Sequence, residues 1–435
     1  MITNAKYISA PLTVIALLFS ASACSDPSTM STDTAKVEVA DSKQANNIQT
    51  SDSSIPDEQV STNKPAFTTK IIASFDEPWA MTALPKSSAE SLKLLVTQKT
   101  GELFVVDART GVKARVSGVP KVAYGGQGGL GDVILAPDFA TTNIVYLSYI
   151  EAGKGSEDNT FGAKVIKAKL SGLDTTVPTL QAIVPIWQQR PKVKGQGHYS
   201  HRLLFSPDGR YLYISSGERQ AKDPAQDMSV NLGKIVRLNP DGTVPIDNPF
   251  VHNSNVDTEA DIKANANDIT KQLWTLGHRN VLGMAFDKSG RLWAHEMGPR
   301  GGDELNLIEK GSNYGWPIVS NGRNYSGIDI PDHDTRPDFI APKITWTPVI
   351  SPSSMSLYYS GSYNDFPAWQ GNALISGLSS KALIVVDLGA SNAAAPYERY
   401  RYDMGQRIRS VLAVDGEVWL LEDGSSGKLL RLLPK

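Results

Sequence analysis

The chain has 435 residues, 40% of them hydrophobic, which is enough to enclose a large core and to form more than one domain. Its 43 Lys and Arg residues nearly balance 45 Asp and Glu residues, and the formal net charge of -2 provides no overall attraction to nucleic acid or anionic lipid. The single cysteine, Cys24, excludes an intramolecular disulfide and a metal site built from several thiolates.

The N-terminal segment is typical of a bacterial secretory signal. Lys6 precedes an apolar run from Ile8 to Phe19, too short to span a membrane, and small residues then lead directly to Cys24. Small residues that end at a cysteine resemble a lipobox, and Ser25 after the cysteine favours the outer membrane. We expect a signal peptide at residues 1–23, a lipid anchor at Cys24 and a periplasmic location. An ordinary cleaved signal is the alternative.

The next segment, to Lys64, consists largely of Ser, Thr, Asp, Asn and Gln, and buries too little apolar surface to offset the entropy of ordering. We expect residues 24–64 to form a flexible tether. No second linker of this composition follows. Residues 65–435 are therefore predicted to form a single folded domain.

Strand-turn-strand patterns with apolar residues at every second position recur through the folded part. The patterns lie at 79–106, 131–149, 203–214, 284–294, 372–388 and 411–421. These six units recur about every 60 residues, which is the spacing of propeller blades with long loops. The sequence predicts an all-β, six-bladed β-propeller rather than a β-sandwich pair or a β-helix. Strand-like segments at 67–75 and 428–433 are expected to share one blade and close the ring.

A glycine-rich segment from Gly126 to Gly131 matches the dinucleotide fingerprint G-x-G-x-x-G in form. That motif must open a helix that holds a pyrophosphate, whereas the residues that follow here are strand-like. The segment is therefore predicted to be a loop that enters a blade, with Gln127 exposed at its tip.

Two histidines, His198 and His201, lie in a glycine-containing segment just before the clearest hairpin. Imidazole titrates near neutral pH, so a histidine on a loop at the end of a strand is a candidate general base. A zinc pair and a purely structural hydrogen-bonding role are the alternatives.

Three arginines are candidates for binding or stabilising an anion. Arg279 precedes a second hairpin in the same relation as His198, so propeller geometry can bring both to one face. Arg407 and Arg409 alternate along a strand-like segment, which points both side chains to one side. The two guanidinium groups require an anion, which a ligand, acidic neighbours or solvent can supply.

The run from Gly298 to Glu304, with Asn313 to Trp316 after it, offers carboxylates and free carbonyl groups on a tight loop. These are oxygen ligands of the kind that calcium prefers, although EF-hand spacing is missing.

Taken in order, these segments resemble the soluble quinoprotein glucose/sorbosone dehydrogenases, particularly the bacterial aldose sugar dehydrogenases. The likeness covers nearly all of residues 67–435. It implies a six-bladed propeller that oxidises the C1 hydroxyl of aldose sugars to lactones with pyrroloquinoline quinone (PQQ) and calcium, and passes electrons to an external acceptor. The motifs that carry it contain Gln127, His198, Arg279 with Asn280, the 298–317 run, Trp346 to Pro348, Ser351 to Ser353, and Arg407 with Arg409.

The resemblance implies a role for each residue near the quinone. His198 corresponds to the catalytic base that removes the hydroxyl proton. Arg279 and Asn280 correspond to residues beside the quinone oxygens, where a cation stabilises the charge that develops on reduction. Gln127 corresponds to a further cofactor contact.

The resemblance also implies that Arg407 and Arg409 hold the cofactor carboxylates. The family has a lysine in a loop of the fifth blade that helps to bind the cofactor, and the matching position here is Ser379. Lys381, two residues on, is expected to replace it, because residues two apart in a strand share a face.

Two calcium sites follow from the same resemblance. The carbonyl groups of Gly298 and Pro299 correspond to ligands of a calcium ion that polarises the quinone. Glu304 and Tyr314 correspond to ligands of a second, structural ion.

Two other functions fit parts of the sequence. A calcium-dependent propeller lactonase needs a metal in the central channel but no arginine pair. A non-catalytic lipoprotein propeller that binds protein or glycan is consistent with Ser379 in place of lysine.

Overall fold

The computed structural model describes residues 66–85, 92–251, 268–389 and 394–435. Within these ranges the chain forms six antiparallel sheets of four strands each. The predicted signal peptide, Cys24 and the tether lie outside the described residues. No helix in the described part is long and apolar enough to cross a membrane.

Each sheet is one blade, and the first three blades use consecutive strands. Blade 1 contains β2 (Pro78–Ala83), β3 (Lys93–Gln98), β4 (Glu102–Asp107) and β5 (Lys113–Arg115). Blade 2 contains β6 (Leu130–Leu135), β7 (Ile144–Ala152), β8 (Phe161–Ser171) and β9 (Thr179–Gln188). Blade 3 contains β10 (Ser200–Phe205), β11 (Leu212–Ser216), β12 (Lys234–Leu238) and β13 (Leu273–Leu276).

The remaining blades follow the same plan until the last. Blade 4 contains β14 (Val281–Phe286), β15 (Leu292–Glu296), β16 (Asp303–Ile308) and β17 (Ile344–Trp346). Blade 5 contains β18 (Pro352–Leu357), β19 (Ala373–Gly377), β20 (Ala382–Asp387) and β21 (Tyr397–Asp403). Blade 6 contains β22 (Ile408–Val414), β23 (Glu417–Glu422), β24 (Gly427–Pro434) and β1 (Phe67–Phe75). In the described ranges, two short helices, α1 (Phe139–Thr142) and α2 (Ile269–Gln272), lie in connections.

The predicted six-bladed propeller is confirmed, including its closure. Strand β1 pairs antiparallel with β24, so that Phe67 lies opposite Pro434 and Phe75 lies opposite Gly427. The two ends of the folded part therefore share one sheet. The pairing of β1 with β24 closes the ring and leaves neither of these two facing strand edges unpaired.

The core consists of an apolar layer between each pair of neighbouring blades. Between blades 2 and 3, for example, Val165 and Trp187 pack in one buried cluster with Ile214 and Val236. Equivalent clusters fill the other five blade interfaces. Each fully buried aliphatic side chain contributes about 1.5–3 kcal/mol, so stability is distributed around the whole ring.

The first strands of the six blades surround the centre of the ring, where each contacts its neighbours. In all six blades, the pairing of the first strand with the second strand has a register shift within the first residues of the first strand. Such bulges bend the strand and re-aim side chains, and they are frequent beside active sites. In this molecule the irregular starts of the inner strands surround one cavity.

Candidate active site

The cavity has a volume of about 410 Å³, and every blade contributes to its lining. Four of the predicted site residues line it, namely Gln127, Asn280, Arg407 and Arg409. Ser200, Ser351 and Lys99 are among the other lining residues. The structure therefore brings together side chains that are far apart in sequence, such as Lys99 and Arg409, because the inner strands all begin at the same end of the ring.

His198 lies next to this cavity, directly before Tyr199 and Ser200 in its lining. Its backbone adopts φ 47°, in the left-handed region, and its backbone N–H donates to Gln127 Oε1 at 2.7 Å. Its Nδ1 is hydrogen-bonded to the buried carboxylate of Glu218. This fixed geometry holds the ring in place.

The electrostatics of this pair favour a neutral imidazole. Burial lowers the pKa of His198, the hydrogen bond to Glu218 opposes that effect, and the charge of Arg279 adds to it. Burial alone would raise the pKa of the Glu218 carboxyl, but the hydrogen bond with His198 holds it below its usual value. Because an ionised carboxylate only accepts hydrogen bonds, Nδ1 carries the proton and Nε2 keeps its lone pair. In this state Nε2 is able to accept a proton.

Glu218 was not predicted from the sequence. It lies 20 residues after His198, in the loop that follows β11, and its Oε2 also accepts from the backbone N–H of Lys222 at 2.6 Å. One available signal was its position, because a carboxylate directly after a buried strand of the same hairpin lies at the same end of the blade as His198.

Arg279 is fixed from both its backbone and its side chain. Its backbone N–H donates to Glu296 Oε2 at 2.6 Å, and its Nη1 donates to the carbonyl groups of Met297 and Gly298 at 2.9 and 2.7 Å. Its Nε is buried without a hydrogen-bond partner. The guanidinium also lies 5.4 Å from the ring of Trp316. This places a rigid cation next to Asn280, which lines the cavity.

Arg407 and Arg409, called the arginine pair below, do lie on one side as predicted. The Nε of Arg407 donates to Asp423 Oδ2 at 2.8 Å, and Nε and Nη2 of Arg409 donate to Oδ1 at 2.9 and 2.8 Å. Burial opposes ionisation of Asp423, but the two arginines hold its pKa below the usual value. One carboxylate thus orients two guanidinium groups, and the Nη atoms of Arg407 have no hydrogen-bond partner among the described residues.

Lys381 is not brought to the cavity. It occupies the turn between β19 and β20 with φ 51°, and its side chain is exposed. Ser379 is also exposed, with its Oγ donating to the carbonyl group of Val349 at 3.2 Å, and the residue of this loop that lines the cavity is Leu378. Lys99, from the turn between β3 and β4, is the lysine that lines it.

Blade 4 contains a buried pair of carboxylates. Glu296 and Glu304 lie opposite each other on β15 and β16, and Asn306 Nδ2 donates to both, at 3.2 and 3.0 Å. Burial and the neighbouring charge of Glu296 raise the pKa of Glu304 well above its ordinary value. The Oδ1 of Asn306 is buried without a partner. When both carboxyl groups are ionised, their negative charges repel each other, and the Oδ1 of Asn306 beside them is an unused acceptor. A bound cation would offset the repulsion and use these oxygen atoms as ligands.

Tyr314 lies in the same region. Its ring stacks on His278 with centroids 4.7 Å apart, and the Nδ1 of His278 is hydrogen-bonded to Glu296 at 2.8 Å. The carbonyl oxygen of Tyr314 lies 3.1 Å from His333 Nε2. No group of three or more His, Cys, Asp or Glu side chains in the described ranges has metal-binding geometry. A calcium ion here would depend on carbonyl ligands as well as Glu304.

The loop after β15 contains the second predicted calcium position. Asp303 accepts from the backbone N–H of Gly298 at 2.9 Å and from those of Ile350 and Ser351 at 2.8 and 2.7 Å. Burial raises the pKa of Asp303 to about 6. One carbonyl lone pair of Gly298 is engaged by Arg279, and a carbonyl oxygen has two. The next carbonyl group along this loop is that of Pro299.

His201, the other histidine of its segment, lines the cavity and packs against residues of its wall. Its ring stacks on Trp79 at 4.8 Å, and its Nδ1 is hydrogen-bonded to Ser148 Oγ at 2.8 Å. Burial lowers the pKa of His201 to about 3. The ring is therefore uncharged, and the two histidines have different partners.

A profile of the Glucose / Sorbosone dehydrogenase family matches residues 75–431. The chain is 38% identical over 366 residues to the aldose sugar dehydrogenase YliI of Escherichia coli, covering 83% of this chain and 91% of that protein. The crystal structure of the soluble aldose sugar dehydrogenase from Escherichia coli in the apo-form matches with a TM-score of 0.72 and 36% identity, covering 85% and 100% of the two chains. The PQQ-bound aldose sugar dehydrogenase from Streptomyces coelicolor matches with a TM-score of 0.65 and 28% identity, covering 85% and 99%.

Proposed function

Because the chain belongs to the glucose/sorbosone dehydrogenase family of oxidoreductases, we propose that it oxidises the C1 hydroxyl of aldose sugars to lactones with PQQ and passes the electrons to an external acceptor. The observation that carries this proposal is the His198–Glu218 pair beside a cavity lined by the arginine pair. A base with a free Nε2 supplies proton removal, and the cationic wall supplies a site for an anionic cofactor.

The cavity fits a cofactor that carries several carboxylates. The arginine pair has free N–H donors beyond those used by Asp423 and would hold carboxylates in the charge-assisted geometry that guanidinium favours. Gln127 and Asn280 line other parts of the cavity with amide groups and would orient the cofactor ring. When bound, PQQ supplies the two-electron acceptor that protein side chains lack.

His198 would accept the proton of the C1 hydroxyl at Nε2. The positive charge that forms on the imidazole is stabilised by Glu218, whose carboxylate already accepts from Nδ1. Burial keeps the ring neutral before the reaction, because it lowers the pKa of His198. The base is therefore ready at neutral pH without prior deprotonation.

Arg279 would stabilise negative charge that develops in the cavity. Its guanidinium is held by two carbonyl groups and lies beside Asn280, and little reorganisation is needed when charge appears. Arg279 also keeps a proton from resting on His198, since its charge lowers the pKa of that imidazole. The charge of Arg279 thus favours the neutral form of His198 before the reaction and would stabilise the negative charge that develops in the cavity during it.

We propose calcium at two positions, each supported by donor chemistry. Glu304, with the neighbouring Glu296 and the unused Oδ1 of Asn306, would hold a structural ion together with the carbonyl group of Tyr314. The carbonyl groups of Gly298 and Pro299 would hold a second ion next to the cavity. Bound there, calcium supplies Lewis-acid polarisation of a carbonyl oxygen.

We also propose that the enzyme is a periplasmic lipoprotein, on the strength of the signal-like segment that ends at Cys24. The test is fractionation of cells that express the full chain or Cys24→Ser. We expect the full chain in the membrane fraction with a fatty-acid label, and the variant unlabelled. Equal labelling and distribution of the two proteins would exclude the anchor.

The proposed activity is tested by titrating the purified apo-protein with PQQ in the presence of calcium and following the reduction of an acceptor dye with a panel of aldoses. We expect dye reduction that saturates with PQQ and requires an aldose. A protein that binds no PQQ, or that hydrolyses lactones without it, would contradict the proposal and favour a binding protein or a lactonase.

A further inference from the structure

The turn between β3 and β4 brings a lysine into the same wall of the cavity as the arginine pair. The backbone N–H of Glu77 donates to the carbonyl group of Gly424 at 2.9 Å, and the backbone N–H of Lys99 donates to the carbonyl group of Glu77 at 3.0 Å. Gly424 directly follows Asp423, which orients the arginine pair. Two backbone hydrogen bonds therefore connect Lys99 to the arginine pair through a continuous stretch of cavity wall.

The ammonium group of Lys99 is held in place by an ion pair with Glu77 and keeps N–H donors for a ligand. It lies 3.3 Å from Glu77 Oε2, an oxygen that also accepts from the Tyr124 hydroxyl at 2.7 Å. The side chain of Lys99 is only 14% exposed, and the ring of Tyr124 lies 5.7 Å from Nζ. An ammonium group has three N–H donors, and the shared carboxylate uses one of them.

The ionisable residues along this wall leave an excess of positive charge. Three cations line it, namely Arg407, Arg409 and Lys99, together with two carboxylates, Asp423 and Glu77. Before any ligand binds, the wall therefore has one more positive than negative charge. Each carboxylate is already shared between two partners. The wall is therefore pre-ordered for an anion with carboxylates spread along it.

We propose that Lys99 is a cofactor-binding residue that holds one carboxylate of the tricarboxylate PQQ while the arginine pair holds the others. This inference rests on the proposed function. The turn between β19 and β20 presents only uncharged Leu378 to the cavity, and Lys381 on that turn lies outside the lining. Lys99 is thus the cation that completes the set, from blade 1 rather than blade 5.

The experiment measures PQQ affinity directly, by equilibrium dialysis of the full chain with calcium held constant. Lys99→Gln is compared with Lys381→Gln, which removes the lysine expected from the sequence, and with Lys154→Gln. Lys154 is an exposed lysine on a loop at the same end of the ring, and it serves as the matched control for loss of one positive charge. We expect about tenfold weaker binding for Lys99→Gln and less than a twofold change for the other two variants.

A fourth variant, Lys99→Arg, keeps the charge and should bind within about threefold of the parent protein, with an unchanged thermal midpoint for all variants. Parent affinity in Lys99→Gln, or an equal loss in Lys381→Gln or Lys154→Gln, would overturn the role of Lys99 and leave the proposed function intact. Failure of the parent protein to bind PQQ would instead overturn the proposed function.

Discussion

At the scale of single residues, the proposed base, His198, depends on a partner from another segment. The loop before β10 supplies His198, and the loop after β11 supplies Glu218, which accepts from Nδ1. The carboxylate of Glu218 has two effects on His198. It fixes which nitrogen carries the proton, and it raises the basicity of a ring that burial would otherwise make a weak base.

Glu218→Gln should lower kcat by about 100-fold and move the acid limb of the kcat–pH profile to lower pH. The direction follows from the pKa of His198, since burial and Arg279 lower it and the hydrogen bond to Glu218 raises it. Removing the carboxylate leaves only the lowering effects. The measurement is kcat from pH 4 to 8 with PQQ-loaded protein.

The matched control is Glu157→Gln, an exposed carboxylate on a loop at the same end of the ring, which should leave the profile unchanged. An acid limb that moves to higher pH in Glu218→Gln would show that Glu218 does not act through His198.

At the scale of elements, the pairing of two strands in blade 4 places two carboxyl groups opposite each other. The register of β15 and β16 places Glu296 opposite Glu304 inside the molecule, where burial raises the pKa of Glu304. Like charges directly opposite each other in a sheet destabilise it. A proton or a cation that offsets this charge would stabilise the strand pair, so the proposed calcium ion would act on the stability of this hairpin.

Calcium should therefore raise the thermal midpoint of the parent protein, by about 5 °C at 100 times its dissociation constant, and should raise that of Glu304→Gln less, because only the proposed ion at Gly298 and Pro299 remains. Without calcium the variant should be at least as stable as the parent, because the buried like-charge pair is gone. Calorimetry with calcium and with chelator measures both effects. Glu309→Gln, an exposed carboxylate one residue past the end of β16, is the control and should keep the calcium response.

The loop from β11 to β12 is held by a buried lysine at its end. Lys234, at the start of β12, is fully buried and its Nζ donates to the carbonyl groups of Pro224, Ala225 and Leu232 at 2.7, 3.1 and 2.7 Å. The same loop holds Glu218. The ammonium group thus fixes the path of the segment that carries Glu218, the hydrogen-bond partner of His198.

Lys234→Met should leave three buried acceptors unpaired, destabilise the fold by roughly 3 kcal/mol or more, and lower kcat through displacement of the loop. Denaturant unfolding and steady-state kinetics measure the two effects. Lys169→Met, on the exposed side of β8, should change neither. A stable Lys234→Met variant with parent kcat would exclude this role.

The strands could be predicted because their physics is local. Alternating apolar residues and turn residues such as those at 206–209 and 287–290 located the hairpins, and the shared last blade followed from two strand-like ends. Lys99 and Glu218 could not be predicted in this way. Lys99 gains its role from a contact between blades, because ring closure places it beside the arginine pair of blade 6. Glu218 meets His198 within blade 3, where the fold of one hairpin brings together side chains 20 residues apart. Lys381 stays a prediction from the resemblance, and in the structure the turn after β19 contributes Leu378 to the cavity lining.

At the scale of the whole molecule, one side chain connects most of the ring. Arg202 of blade 3 donates from Nε to Leu282 of blade 4 at 2.7 Å and from Nη2 to the carbonyl group of Ser353 of blade 5 at 2.7 Å. It lies 3.5 Å from Asp132 of blade 2 and 3.8 Å from the ring of Trp79 of blade 1. The inner strands are therefore cross-linked beneath the cavity, and the site depends on closure of the entire ring.

Closure also depends on the N-terminal strand. Phe67 of β1 is buried, and its ring lies 5.9 Å from Trp369 and 5.1 Å from Tyr402 of blade 5. Phe67→Ala should destabilise the protein by about 3–5 kcal/mol and lower its thermal midpoint by at least about 5 °C. Ile71→Ala, in the same strand but exposed, should stay within about 0.5 kcal/mol of the parent. Equal midpoints for the two variants would show that β1 does not stabilise the ring.

The most direct test of the proposed chemistry is the stoichiometry of the PQQ-loaded enzyme acting on an aldose. Lactone formed and electrons delivered to an acceptor dye are measured together in the parent protein and in His198→Ala. We expect one lactone for every two electrons, only with PQQ present, and a rate lower by at least about 100-fold in His198→Ala. Dye reduction without lactone, or an equal rate in the variant, would contradict oxidation at C1 with His198 as the base.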